Sequence, residues 1–195
     1  MVGRAELFGR GWPPLLKVLD KVVNDWSFLG KATKITLWNA TQGFVVGLAA
    51  GVLLSTIGLL VKPLNRSIGR LATLLNSIPW IAIGPLTVMV ISSSATPVVF
   101  AVLAVFFSSF VTISSGLSRV EKSHLDLFRT LGAKRLSTFF RLECRVAIPS
   151  VVYAAKLGAP AAMFGAVFGE WFGTTHTGLG LVMVSALQNY MTLRL

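Results

Sequence analysis

The stretch WNATQGFVVGLAAGVLLSTIGLLV, Trp38 to Val61, contains no Asp, Glu, Lys or Arg and is closed by Lys62-Pro63. A hydrocarbon core ~30 Å thick needs about 20 apolar residues in a helix. This stretch meets that requirement without a charge to desolvate. Lipid offers no hydrogen bonds to a backbone, so the segment must be helical. Gly43, Gly47 and Gly51 recur four apart, on one helix face. They are either a close-approach stripe for a neighbouring helix or merely the glycines common in such spans.

Moving outward, the rest of the chain repeats the pattern. Leu71–Ser92, Val98–Leu117 and Val146–Phe172 are further apolar runs, separated by short polar segments. The 195 residues are 54% hydrophobic and only 13% charged, with mean hydropathy +0.74. Soluble domains carry about 25% charge, so a water-facing globule is excluded. Unbroken apolar runs exclude a barrel. The fold class expected is all-α, a polytopic membrane helix bundle. The first 37 residues read as a separate amphipathic segment: Leu15, Leu16, Val18, Leu19, Val22 and Val23 keep helical spacing among Lys17, Asp20, Lys21 and Asp25. That leaves 38–195 as the bundle core. Met1 opens no signal-peptide pattern, and the tail from Leu179 is too polar for a clear crossing.

The 18 Lys and Arg outnumber the 7 Asp and Glu, and they lie between the runs. Segments 62–70 and 119–145 are basic, whereas the turns at 92–97 and 173–178 carry no Lys or Arg. Positive loops stay cytoplasmic. The first two therefore face the cytoplasm and the two turns face outward. The N-terminal Arg4, Arg10, Lys17, Lys21, Lys31 and Lys34 then fall on the outer side, against the rule. Cys144 is the single cysteine, and His124 and His176 lack companions, so no disulfide and no metal site is expected. Asn39-Ala40-Thr41 fits a glycosylation pattern by chance at a membrane border.

One segment stands apart. Asp126-Leu127-Phe128-Arg129-Thr130-Leu131 leads into Gly132-Ala133-Lys134-Arg135, then Phe139-Phe140-Arg141-Leu142 and Ala147-Ile148-Pro149. Gly132 permits a sharp turn, so two short helices are expected on either side of it, with Pro149 near the start of the next span. This pattern resembles the cytoplasmic loop of permease subunits of binding-protein-dependent ABC importers, which carries Glu-Ala-Ala, then Gly, then Ile-x-Leu-Pro. Asp126 stands for the Glu and Leu127-Phe128 for the two alanines, replacing small residues where the family's helix enters an ATPase groove. Gly132-Ala133 and Pro149 match. Arg145 stands where the sulfonate, taurine, nitrate and thiamine-precursor subfamily has a further proline. Ser77–Leu86, Glu170-x-x-Gly173 and Gly178-Leu179-Gly180 extend the similarity over roughly 15–195. The family has one more span on either side, so the chain looks like its core.

The resemblance implies a type I importer permease in a bacterial inner membrane, with about four to five membrane helices and a coupling helix. It implies ATPase-coupling residues Asp126, Leu127, Phe128, Gly132, Ala133, Lys134 and Pro149. Its partners would be an ABC ATPase, a periplasmic or lipoprotein solute-binding protein, a second permease copy (the same chain or a different one) and membrane lipid. No phosphate-binding Gly-x-x-x-x-Gly-Lys-Ser/Thr loop occurs, so ATP would be bound and hydrolysed by the partner. No cofactor and no catalytic residue is expected of this subunit.

Translocation-pathway candidates follow from polarity within spans. Lys156 lies mid-span, where a charge costs ~3 kcal/mol unless a cavity or partner receives it. It reads as an anion contact or gate, or as half of a structural pair. Glu170, near the outer end, reads as a structural cap or a substrate contact. Pro79 and Pro85 bend the second span, lining a cavity or kinking for packing, with Asn76 one turn earlier. Three other classes were weighed. An ATP-independent secondary transporter or channel would want acidic residues inside spans, and the only central charge is Lys156. A helix-turn-helix around Gly132 would expose Phe139 and Phe140 to DNA, which argues against nucleic acid. A membrane enzyme would need paired carboxylates or a nucleophile–base set, and none occurs.

Overall fold

In a computed structural model, residues 22–61, 68–70, 73–74, 77–173 and 178–192 are described. Every regular element among them is helical. They are α1 (Trp26–Leu60), α2 (Trp80–Val90), α3 (Thr96–Leu117), α4 (Lys122–Thr130), α5 (Arg135–Phe172) and α6 (Leu179–Thr192). Helices α1, α3 and α5 are long and apolar enough to cross a membrane.

These three form the core. Gly43 of α1 lies against Ala101 of α3, Gly51 against Ser109, and Ser55 donates a 3.2 Å hydrogen bond to the Phe110 carbonyl. The contacts advance together, so α1 and α3 run parallel. On α5, Gly169 meets Pro97 while Ser150 meets Gly116, so α5 runs antiparallel to both. The buried positions of α1 are Ala32, Thr36, Ala40, Gly43, Gly47, Gly51, Ser55 and Gly58. A Cβ on Gly47 would lie 2.7 Å from the Val102 carbonyl oxygen, and one on Gly165 2.6 Å from the Ala101 Cα. The glycine stripe is therefore a close-approach surface. Large apolar side chains such as Trp38, Val45, Leu53 and Phe164 point outward instead. Small residues inside and large ones outside is the packing expected where lipid, not water, surrounds the bundle.

The elements differ from the expected ones in three places. Helix α1 begins at Trp26 rather than Trp38, and its 35 residues extend about 52 Å, beyond a hydrocarbon core. It can continue because Lys31 and Lys34 sit on its exposed side while Ala32 and Thr36 are buried. The helix thus crosses the expected boundary at residue 37 without a break. The second apolar run does not form one helix through residue 92. Pro79 disfavours helical geometry at Ile78, and it stands as the extended residue before an 11-residue helix, α2. Finally, the short helix after Gly132 and the last long span are one rod, Arg135–Phe172. Pro149 lies inside it rather than at a new start. The N-terminal residues 1–21, the basic residues 62–67, Asn76 and His176 lie outside the described residues.

Candidate functional site: the loop helix and the two ends of the bundle

Helix α4 has no buried residue. Leu125 and Phe128, three apart, are half-buried, while Leu127 is 55% and Leu131 74% exposed. Beyond the turn, Leu136 and Phe140 are also exposed. Leu127 and Phe128, expected to act together, therefore point different ways. Asp126 pairs with Arg129 at 2.8 Å on the solvent side.

The turn that ends α4 is fully specified. Gly132 has φ +73°, a left-handed conformation that side chains disfavour. Its N–H donates to the Arg129 carbonyl at 2.9 Å, and the Ala133 N–H donates to the Phe128 carbonyl at 2.9 Å. That pair of bonds is the Schellman cap. It explains in physical terms why Gly-Ala stands at 132–133. Lys134 follows in extended geometry and leads directly into α5.

At this same end, Arg135 donates to Glu143 Oε1 at 2.6 Å and to the Leu59 carbonyl of α1 at 3.2 Å. Glu143 is 4% exposed. Between the two residues, Phe139–Glu143 forms a π-helical turn. The sequence reading missed this pair, because eight helical residues would normally separate the two charges around the axis.

The opposite end is held by Glu170, 1% exposed. Its Oε2 accepts from the Thr36 hydroxyl at 2.9 Å and from the Gly180 N–H at 3.0 Å, and its Oε1 from the Asn39 amide at 3.3 Å. The Leu179 N–H donates to the Thr36 hydroxyl at 3.0 Å. Two backbone donors at the start of α6, which have no partner within their own helix, are thereby satisfied, and the acidic group faces the positive end of that helix. A Cβ on Gly178 would lie 2.5 Å from the Glu170 carboxyl, and one on Gly180 2.5 Å from the Val167 carbonyl oxygen. Glu170 and Gly178-Leu179-Gly180 are thus two halves of one junction. Glu170, 1% exposed, is enclosed by this junction.

Pro79 and Pro85 are exposed on α2. Lys156 is exposed on α5 with Tyr153 and Leu157, and it has no ion pair among the described residues. Pro160 lies one turn further along the same helix and is also exposed. Having no N–H, it leaves the Lys156 carbonyl without its helical donor. This face of α5 therefore presents a cation. No cluster of His, Cys, Asp and Glu suited to a metal occurs among the described residues.

A multi-pass helical bundle with a solvent-exposed helix pinned between two long spans has the architecture of a transport permease. The chain belongs to the family described as binding-protein-dependent transport system inner membrane component, which matches residues 31–193. Over 146 residues it is 31% identical to the formylaminopyrimidine transport permease protein ThiX of Halalkalibacterium halodurans, covering 74% of this chain and 58% of that protein. A probable ABC transporter permease protein of Haemophilus influenzae is 28% identical over 176 residues, 90% of this chain and 71% of the relative. The putative aliphatic sulfonates transport permease protein SsuC of Bacillus subtilis is 20% identical over 156 residues, 80% and 56% of the two chains. The chain therefore spans less than two thirds of the first and third of these relatives.

Proposed function

We propose that this chain is the membrane-spanning permease subunit of an ATP-driven ABC importer in a bacterial inner membrane. A separate ATPase pair docks on α4 and its Gly132 turn, and the bundle alternates between outward and inward openings as the pair closes and opens. The observation that carries this reading is α4 itself. It is a short amphipathic helix held between two spanning helices by a Schellman cap, yet none of its residues is fully buried and only Leu125 and Phe128 are half-buried. Its outward Leu127 and Leu131 are apolar surface in search of a partner. A solute-binding protein delivers the cargo, and a second permease copy completes the pathway.

The cargo is a small solute, and the exposed, cationic Lys156 favours an anion. The relatives named for a formylaminopyrimidine and for aliphatic sulfonates support a small polar cargo.

Co-expression with an ABC ATPase from the same gene neighbourhood tests the reading. The ATPase is expected to co-purify with the wild-type chain, and Gly132→Glu is expected to abolish that by straining the turn, while the bundle stays folded. A wild-type chain that binds no ATPase and transports alone would instead be a secondary transporter or channel. Lys156→Ala is expected to lower uptake at least about tenfold if the residue contacts an anion and to leave ATPase association intact. Loss of assembly instead would assign Lys156 a structural role.

A further inference from the structure

We infer that Arg135 and Glu143 form the joint through which movement of α4 reaches the bundle, and that they act as positioning residues for coupled transport. This rests on the importer reading above.

With no residue of α4 fully buried and only Leu125 and Phe128 half-buried, a push on that helix travels largely along the chain. One exit is the turn into α3, and the other is the Gly132 turn into α5. The second exit ends on Arg135, the first residue of the rod. From there the guanidinium reaches in two directions, to Glu143 within α5 and to the Leu59 carbonyl near the end of α1. Docking loop, α5 and α1 therefore meet at one side chain. The Leu59 carbonyl is among the last four of α1, which lack helical donors, and it sits at the negative end of the helix dipole. Arg suits this place because its planar fork can bond two acceptors at once.

The geometry depends on the π turn. In an uninterrupted α-helix, residues eight apart lie about 80° apart around the axis, at about 100° per residue. A π turn carries an extra residue and so rotates the following residues back by about that same angle. Arg135 and Glu143 are thereby brought onto one face. Such turns are frequent at functional sites, and here the turn aligns an ion pair whose arginine also reaches α1.

The pair is also incomplete. Glu143 Oε2 is buried and has no hydrogen-bond partner among the described residues, while the Arg135 side chain is 46% exposed. A buried acid held by a single, half-exposed cation is sensitive to small displacements of that cation. Pulling Arg135 away would strand Glu143 in a low-dielectric site and release the end of α1 in the same movement. The joint thus links a displacement at the docking surface to the packing of two spanning helices.

The test uses the complete transporter, permease with its ATPase and binding protein, in proteoliposomes, with uptake and ATP hydrolysis measured together. Arg135→Lys keeps the charge but loses the fork, and Glu143→Gln keeps the shape but loses the charge. Each is expected to lower solute uptake per ATP hydrolysed about tenfold, while the ATPase still co-purifies and still hydrolyses ATP. The exchanged pair, Arg135→Glu with Glu143→Arg, is expected to recover part of the loss. The inference is overturned if uptake per ATP is unchanged in Arg135→Lys and Glu143→Gln. It is equally overturned if uptake falls only in proportion to the amount of folded permease, scored by gel filtration and thermal melting. A wild-type chain that recruits no ATPase would sink the importer reading itself, a result separable from either.

Discussion

Helix α5 carries two buried glutamates, one toward each end: Glu170 bonds α1 directly, whereas Glu143 bonds Arg135, which in turn reaches α1. Glu170 is closed on all sides: three donors from two other helices satisfy both of its oxygens. Among the described residues Glu143 has one partner, that partner is half-exposed, and one oxygen is left unbonded. A fully satisfied polar network rigidifies, whereas a partly satisfied one is responsive to its surroundings. The Glu170 end of the bundle is therefore built as a lock and the Glu143 end as a joint. The Glu143 end is also the one from which the exposed α4 projects. Movement delivered there would pivot the helices about the Glu170 junction rather than pull it apart.

The strongest way to break this comparison is Glu170→Ala. It strands the donors of Thr36, Asn39 and Gly180 in a buried site, a loss expected to cost about 3 kcal/mol. The measurement is thermal melting in detergent or lipid nanodiscs. Glu143→Ala is expected to cost only about 1 kcal/mol, because Arg135 keeps the Leu59 carbonyl and solvent. Equal losses at the two sites would erase the distinction between lock and joint.

The two ends also differ in how far they could be read from sequence. The charge-free run at 38–61 marks a membrane helix, and the spacing of Gly43, Gly47 and Gly51 offers a close neighbour as one of two readings, because helical period alone puts such residues on one face. Gly132-Ala133 foretold the turn, because a left-handed cap needs glycine. Glu170 was visible as an anomaly in a span, but its partners Thr36 and Asn39 are 134 and 131 residues away in sequence, and no local signal connects them. The Arg135–Glu143 pair was hidden for a different reason. Its alignment depends on a π turn, which leaves no pattern in residue type, so ordinary helical spacing put the two charges on different faces. Pro79 was read as a bend within a span. The structure makes it a starting point, since a proline lacking an N–H is better tolerated before the first turn than inside a helix.

The smallest expected effect sharpens the comparison from the docking side. Asp126 and Arg129 pair at 2.8 Å, but their side chains are 64% and 73% exposed. An exposed pair three residues apart on a helix contributes under about 0.5 kcal/mol, and salt screens it further. Asp126→Ala is therefore expected to leave the melting temperature of the isolated permease within error. Any effect should surface only when the ATPase is present, as weaker association measured by co-purification or by titration of one subunit with the other. A clear loss of stability in the isolated chain would mean that α4 is braced against the bundle through Asp126. In that case the Glu143 end would not be free to move, and the contrast between the two ends would fail at α4.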